Sequence, residues 1–371
     1  MNFTRVAPNA FALTDKPMPD DAAGLKSSRP NIFVAGQEAP ELSATMESLM
    51  IAESTTGLYR CEATFGNWGS INNTTDFLYF DRKTLDFGKD FEVKLESDSL
   101  FQGKIMGMEA AFPEGKSPEI SVLAEDRFQD LRMNRRTRTF TDVSDSDVIN
   151  QIATDHGLSP SVDVTGPTYK VLAQVNQSDL AFIRERARSI DAEVWMEGNN
   201  LNAKAHTGRN GADLQMTYGK ELREFTVLAD LAMQRTSVAV NGWDVSSKSA
   251  LQYEATDSVI SSELNGDTSG VSILQSALGA RKEALAHTVP LNHDEAQYEA
   301  ETFFKMSARR FVVGRGVAAT KASLRVGTKL DLQGLGPLFN GKYYAVEVKH
   351  IFDLAKGLRT EFKSERLGIG K

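Results

Sequence analysis

The stretch FGKDFEVKL, Phe87–Leu95, leads into LFQGKI, Leu100–Ile105; far downstream VGTKLDL, Val326–Leu332, leads into LFNGKY, Leu338–Tyr343. In each copy a glycine, Gly88 or Gly327, precedes alternating apolar residues: Phe91, Val93 and Leu95 in the first, Leu330 and Leu332 in the second. Alternation of this kind puts the apolar side chains on one face of an extended strand. The first copy then closes on ISVLAEDR and the second on LRTEFKSER. The glycine, the paired strands, the LF[QN]GK segment and the closing acid–arginine recur in the same order, so the chain reads as one β unit written twice. This reading expects LFQGK and LFNGK to occupy equivalent strand-turn positions.

Outward from the first copy, NIFVAG, ESLMIAES, GLYRCEATF, FEVKLES, SLFQGKIMGMEAAF and EISVLAED are short strand patterns separated by Gly, Pro, Asn and Asp. Closely spaced strands of this kind predict a small β-barrel over residues 30–130. In GLYRCEATF, Leu58, Cys61 or Tyr59, and Phe65 leave the inward face unassigned. Residues 1–29, rich in Pro, Asp, Ala and Ser and without periodicity, read as an N-terminal arm.

Residues 131–206 change to an α+β texture, read as an insertion. In FTDVSDSDVINQIATDHGL, Ser144 and Asp147 have capping-box spacing, Val148, Ile149, Ile152 and Ala153 form one stripe, and Gly157 suits a left-handed C-cap. In NQSDLAFIRERARSIDAEVWMEGNN, Ser178 caps a second helix lined by Leu180, Ile183, Ala187 and Ile190, with Arg184, Glu185, Arg186 and Arg188 facing mostly solvent. A hairpin turns at Gly198-Asn199-Asn200. Residues 207–371 then form the second barrel, interrupted at about 245–310 by a helix/loop segment. Within it VSILQSALGARKEALA reads as a short helix in an otherwise loop-like stretch, and DEAQYEAETFFKMSARRF as a longer one.

The 371-residue chain is 41% hydrophobic, enough to fill real cores, and its net charge of −8 disfavours a general phosphate-binding surface. A single cysteine, Cys61, excludes an intramolecular disulfide framework. The N-terminus lacks the apolar core of a signal peptide and no run approaches the ~20 apolar residues that span a bilayer. The expectation is a soluble protein made in the cytoplasm.

Motifs for chemistry are sparse. His156, His206, His287, His293 and His350 never share the i, i+4 spacing of a metal face, so no metal site is assigned. His156 is placed at a helix C-terminus and His350 in a strand, in packing or a local hydrogen bond. GRGVAA, Gly314–Ala319, lacks the lysine of a P-loop and the third glycine of a dinucleotide fingerprint, and reads as a turn. No G-x-S-x-G elbow occurs, and Cys61 sits mid-strand without a local base. Asp142, Asp145 and Asp147 are accounted for by helix capping. Arg127, Arg132, Arg135, Arg136 and Arg138 cluster without the interleaved aromatics that stack nucleic-acid bases, which favours salt bridges over nucleic-acid contact. No catalytic, cofactor-binding or metal-ligating residue is assigned.

The same segments, taken together, resemble a known family. FxxGxxFxVxL, LFQGKI, LAEDRFQDL, FTDVSDSDVINQIATDHGL, NQSDLAFIRERARSIDAEVWMEG, VNGWD, FNGKYYAVEVKHIFD and GLRTEFKSER are similar in order and spacing to the late control D tail proteins of contractile-tailed phages. They are similar also to the hub half of type VI secretion spike proteins and of contractile injection systems. That resemblance covers about residues 30–368. It implies a mainly β chain with two tube-protein-like barrels and α+β insertions, assembled as a homotrimeric, pseudo-six-fold baseplate hub. Three chains of two barrels each would adapt a hexameric tail tube to a trimeric central spike, with differing insertions breaking the six-fold equivalence.

Implied partners are a second and third copy, the tail tube or its initiator, a separate central spike, baseplate wedge proteins, and tape-measure protein or cargo in the lumen. No membrane, cofactor or specific nucleic acid is among them. The place of action would be the baseplate of a phage virion or injection particle. Two other functions remain open on the residues alone: a glycan- or peptidoglycan-degrading tail enzyme with fold-assembled carboxylates, and a nucleic-acid-binding module using the arginine cluster.

Overall fold

The computed structural model describes residues 29–370, except Asn72, Ser246, His287 and Thr288. The N-terminal arm therefore lies outside the described residues, apart from Arg29. The chain is mainly β, and its largest sheet has 13 strands. The first half supplies the two-residue strand Gln37–Glu38 together with β1 (Asn31–Val34), β2 (Met46–Ser54), β3 (Arg60–Gly66), β4 (Asp90–Leu95), β5 (Asp98–Ala111) and β6 (Glu119–Glu125). The second half supplies β7 (Asp213–Thr217), β8 (Leu222–Ala229), β9 (Val312–Ala319), β10 (Lys329–Gln333), β11 (Gly341–Asp353) and β12 (Gly357–Arg366).

Side by side, the first half runs β4-β5-β6-β3-β2 and the second β10-β11-β12-β9-β8, all antiparallel. The two orders are the same. The irregularities match as well: β5 bulges between Ile105 and Gly107 against β6, and β11 bulges between Ala345 and Glu347 against β12. Likewise β2 bulges between Met46 and Ser48, and β8 between Leu222 and Glu224. A bulge sets local twist and register, so two bulges at matched places fix the correspondence residue by residue. The leading glycines correspond too. Gly88 donates its N–H to the Ile105 carbonyl at 2.8 Å, and Gly327 donates to the Ala345 carbonyl at 2.9 Å. Both have positive φ, 76° and 92°, a conformation that favours glycine.

The LF[QN]GK echo, in contrast, is not structurally equivalent. Gly103 lies inside β5 opposite Phe91, whereas Gly341 opens β11 opposite Leu332. With Ile105 matched to Ala345, the residue equivalent to Gly103 is Tyr343, and the motif is two residues out of step. The glycines serve different ends. A Cβ on Gly103 would meet the Glu125 carbonyl oxygen at 2.2 Å, while Gly341 has φ of 134°. Among the closing residues Glu125 matches Glu365, but Arg366 falls opposite the place of Asp126 rather than Arg127.

The halves also differ at their flanks. Beside β4 lies β1, antiparallel; beside β10 lies β7, parallel. The two units are joined edge to edge, because β11 continues past β10 and pairs its Glu347–Asp353 with Ser54–Ser48 of β2.

Apolar side chains gather in four clusters among the described residues. One fills the first half, where Tyr59 and, on β3, Cys61, Ala63 and Phe65 are all buried and share the inward face. Another fills the region that follows, around α1 (Asp145–Asp155), α2 (Asp179–Ser189) and a three-stranded sheet of 159–163, 192–197 and 200–205. The capping box forms in full, with Ser144 accepting from the Asp147 amide at 3.2 Å and Asp147 accepting from the Ser144 amide at 2.9 Å. The second half has its own cluster, as does the segment between β8 and β9.

That last segment departs from the loop-like reading. Ser237–Asp244 pairs antiparallel with Ser249–Ala255 and parallel with Lys282–Leu285, and α4 (His293–Arg309) packs on this sheet. The short helix α3 spans Gly270–Leu278 and stops at Gly279, φ 75°; the Lys282–Leu285 continuation read as helix is a strand. A left-handed glycine ends a helix cheaply, and the β-sheet partner claims the residues beyond it.

Candidate assembly surfaces

The junction between the halves shows what strand pairing does to these edges. The inward residues of β11, Val348, His350 and Phe352, are all buried, and so are Leu49, Ile51 and Glu53 of β2 opposite them. Glu53 accepts from the Arg325 guanidinium and from the Val326 amide, tying β2 to the loop before β10. His350 bonds Thr360 Oγ1 through Nδ1 at 2.8 Å, while its Nε2 is buried without a partner among the described residues. Burial, helped by the Arg325 charge, pushes its pKa down to about 3.

Two long edges have no neighbour among the described residues. The Gly107–Ala111 stretch of β5 pairs with β6 on one side only, and β8, apart from a bridge between Leu222 and Tyr218, pairs only with β9. Near the first of these edges Trp68, Phe77, Phe80 and Phe112 form a cluster of exposed rings, with centroids 4.9–6.2 Å apart. Contiguous apolar exposure of this kind marks a contact surface, and an open edge is a template for another strand.

A polar cleft of about 720 Å³ lies where α2, α4, β11 and β12 meet. Glu193 accepts from Arg209 Nη1 at 2.8 Å, and its Oε1 lies 2.8 Å from His206 Nδ1. The Tyr344 hydroxyl donates to it at 2.9 Å. Burial opposes ionisation of Glu193, but the His206 hydrogen bond and the His206 and Arg209 charges outweigh it and hold the carboxyl below its usual range. Arg309 donates to Asp191 Oδ2 at 2.7 Å and to Glu263 Oε1 at 2.8 Å. Glu193 and Arg309 are each paired with opposite charges and so tie chain segments together, while Glu365 on the same cleft lies 3.7 Å from Arg310 and burial pushes the Glu365 pKa up.

The residues singled out in the sequence fall as follows. Arg132 bonds Glu125 at 2.6 Å, Arg138 bonds Asp155 at 3.0 Å and Asp179 at 2.8 Å, and Arg136 lies 3.2 Å from Asp179. Arg127 pairs with Asp130 at 3.3 Å, and Arg135 donates to the Asn176 carbonyl at 3.1 Å. Most of the cluster is therefore bound to the protein's own acids. His156 also reaches Asp179, at 2.8 Å.

Asp145 is not a surface cap but a buried partner of Arg186 at 2.6 Å, so Arg186 does not face solvent; Arg184 likewise turns in to the Gly57 carbonyl at 2.9 Å. Burial pushes the Cys61 thiol up, against reactivity. Asp126 is pushed up to about 7 by burial, although it accepts from the Tyr59 and Phe128 amides at 2.8 and 2.9 Å. Among the described residues no group of three or more His, Cys, Asp or Glu side chains gathers as a metal site. His287 lies outside the described residues. No described helix is long and apolar enough to cross a membrane. The open edges themselves were missed in the sequence, since pairing partners are not written locally.

A model of the family described as the Alg8 N-terminal domain matches residues 30–353. No curated protein matches the chain. Among solved structures, the 43 kDa tail protein of prophage MuSo2 from Shewanella oneidensis aligns with TM-score 0.68 and 10% identity, over 91% of this chain and 98% of its own. A tail protein from Neisseria meningitidis MC58 aligns with TM-score 0.65 and 12% identity, over 92% and 97%. An Escherichia coli component of the type VI secretion system, described as structurally similar to T4 bacteriophage tail proteins gp27 and gp5, gives TM-score 0.52 and 10% identity, over 88% and 76%. At these identities the likeness establishes a shared, mainly β tail-protein fold.

Proposed function

Since the chain belongs to the Alg8 N-terminal domain family and has the fold of phage tail proteins, we propose that it is a structural baseplate hub of a contractile tail or injection system. In this reading it is a homotrimer that adapts a hexameric tail tube to a trimeric central spike and forms part of the central channel. Residues 30–130 and 207–371 supply the two tube-like units, with 131–206 and about 245–310 as the insertions that break their equivalence. The observation that carries the reading is the recurrence of one five-strand order with two matched bulges. Two similar units per chain let three chains meet a six-fold partner and a three-fold one with the same surfaces.

The partners are the tube or its initiator, a spike polypeptide, wedge proteins and material in the lumen. Native mass measurement of the purified chain tests the reading. A mass of three chains is expected, and a stable monomer at high protein concentration would defeat it.

A further inference from the structure

The correspondence between the halves says more about the two open edges than their exposure does. Matching the bulges makes Met108 and Ala110 of β5, and Phe112 just beyond its end, the equivalents of Val348, His350 and Phe352 in β11. It makes β8 residues Phe225, Val227 and Ala229 the equivalents of Leu49, Ile51 and Glu53 in β2. Within the chain the latter member of each pair is buried by the β11–β2 junction. Their six counterparts on the open edges are all apolar, and none is buried. Phe352 is 2% exposed, whereas Phe112, the same residue type at the same place, is 64% exposed. Each open edge has one half of the arrangement that the junction completes.

We propose that β5 of one copy pairs antiparallel with β8 of a second copy, in the register of the internal β11–β2 junction. This rests on the hub reading and names the contact that would close the ring. The register follows by transfer from the internal pairs Lys349↔Ala52, His350↔Ile51, Ile351↔Met50 and Phe352↔Leu49. Glu109 then lies opposite Leu228, Ala110 opposite Val227, Ala111 opposite Thr226, and Phe112 opposite Phe225. On the inward face large meets small or ring meets ring: Met108 with Ala229, Ala110 with Val227, Phe112 with Phe225.

The polar Glu53 and His350 of the internal junction have no counterpart here, because Ala229 and Ala110 take their places. The contact is head-to-tail, since the two edges are different surfaces. A head-to-tail contact closes into a ring only if its rotation divides the circle, and two similar units per chain set that rotation at each joint alike.

Paired cysteines test the register. Cys61 is buried, so it leaves the background low. In Glu109→Cys/Leu228→Cys, oxidation should link chains into a covalent ladder ending at three. Glu109→Cys alone, Leu228→Cys alone, and Ala110→Cys/Leu228→Cys, whose side chains point to opposite faces, should lose the ladder. Leu228→Lys, on an exposed edge where a charge blocks pairing, should drop the native mass from three chains to one with an unchanged circular dichroism spectrum.

A trimer by mass whose cysteine pair fails to link, or links equally in the opposite-face control, overturns the edge pairing and leaves the hub reading standing. A ladder running past three supports the pairing and overturns the three-fold count. A monomer under all conditions overturns both.

Discussion

β5 and β11 are the same strand in two circumstances. Both are long, both bulge at the same place, and both run on past the short strand at their side. β11 uses its overhang to grip β2, and its inward side chains sink into the core; β5 leaves its overhang uncovered. The difference lies in what stands beside each strand rather than in its own conformation. A fold unit repeated within one chain has one edge answered internally and the equivalent edge unanswered among the described residues.

Truncating the equivalent phenylalanines gives the largest separation between the two circumstances. Phe352→Ala removes a ring from the core and is expected to cost about 3–5 kcal/mol by urea unfolding. Phe112→Ala is expected to stay within about 0.5 kcal/mol in the dissociated chain while weakening assembly. Equal losses at both positions would erase the contrast.

A smaller effect separates the junction from the open edge through charge. Arg325→Ala strands the Glu53 carboxylate at the buried junction and is expected to cost about 3 kcal/mol, the low end for breaking a buried pair because Arg325 is partly exposed. Glu53→Ala/Arg325→Ala, which copies the apolar character of the open edge, should recover part of that loss in a double-mutant cycle.

The third comparison is with pH. Unfolded, the His350 imidazole takes up a proton near pH 6.5; folded, it does so only near pH 3. Its contribution to stability is therefore complete above pH 6.5 and lost as pH falls toward 3, at about 1.4 kcal/mol per pH unit for one proton. The open edge has Ala110 at this position. In His350→Ala the stability difference from the parent chain should narrow as pH falls below 6.5; a constant difference from pH 7 to 5 would show that the ring is not held neutral.

The LF[QN]GK echo is instructive because it pointed to a true duplication through residues that do not correspond. Gly103 is needed because the Glu125 backbone leaves no room for a Cβ, and Gly341 because its backbone is left-handed. Two different demands produced the same letter. The features that do correspond, Gly88 with Gly327 and the paired bulges, are backbone events with different side chains at most positions.

By itself, the sequence determined the local elements whose signals lie within a turn or a strand: the Ser144–Asp147 capping box, the Ser178 cap, the glycine-led strands, and the doubling of the β unit. Alternation and capping are short-range, so they are legible without a partner. The tertiary structure alone decided the joining of the halves through β11 and β2, the inward turn of Arg184 and Arg186, the strand at 282–285, and the identity of the open edges. Each of these depends on which distant segment offers a hydrogen bond or an opposite charge, and that information is spread over residues far apart in the chain.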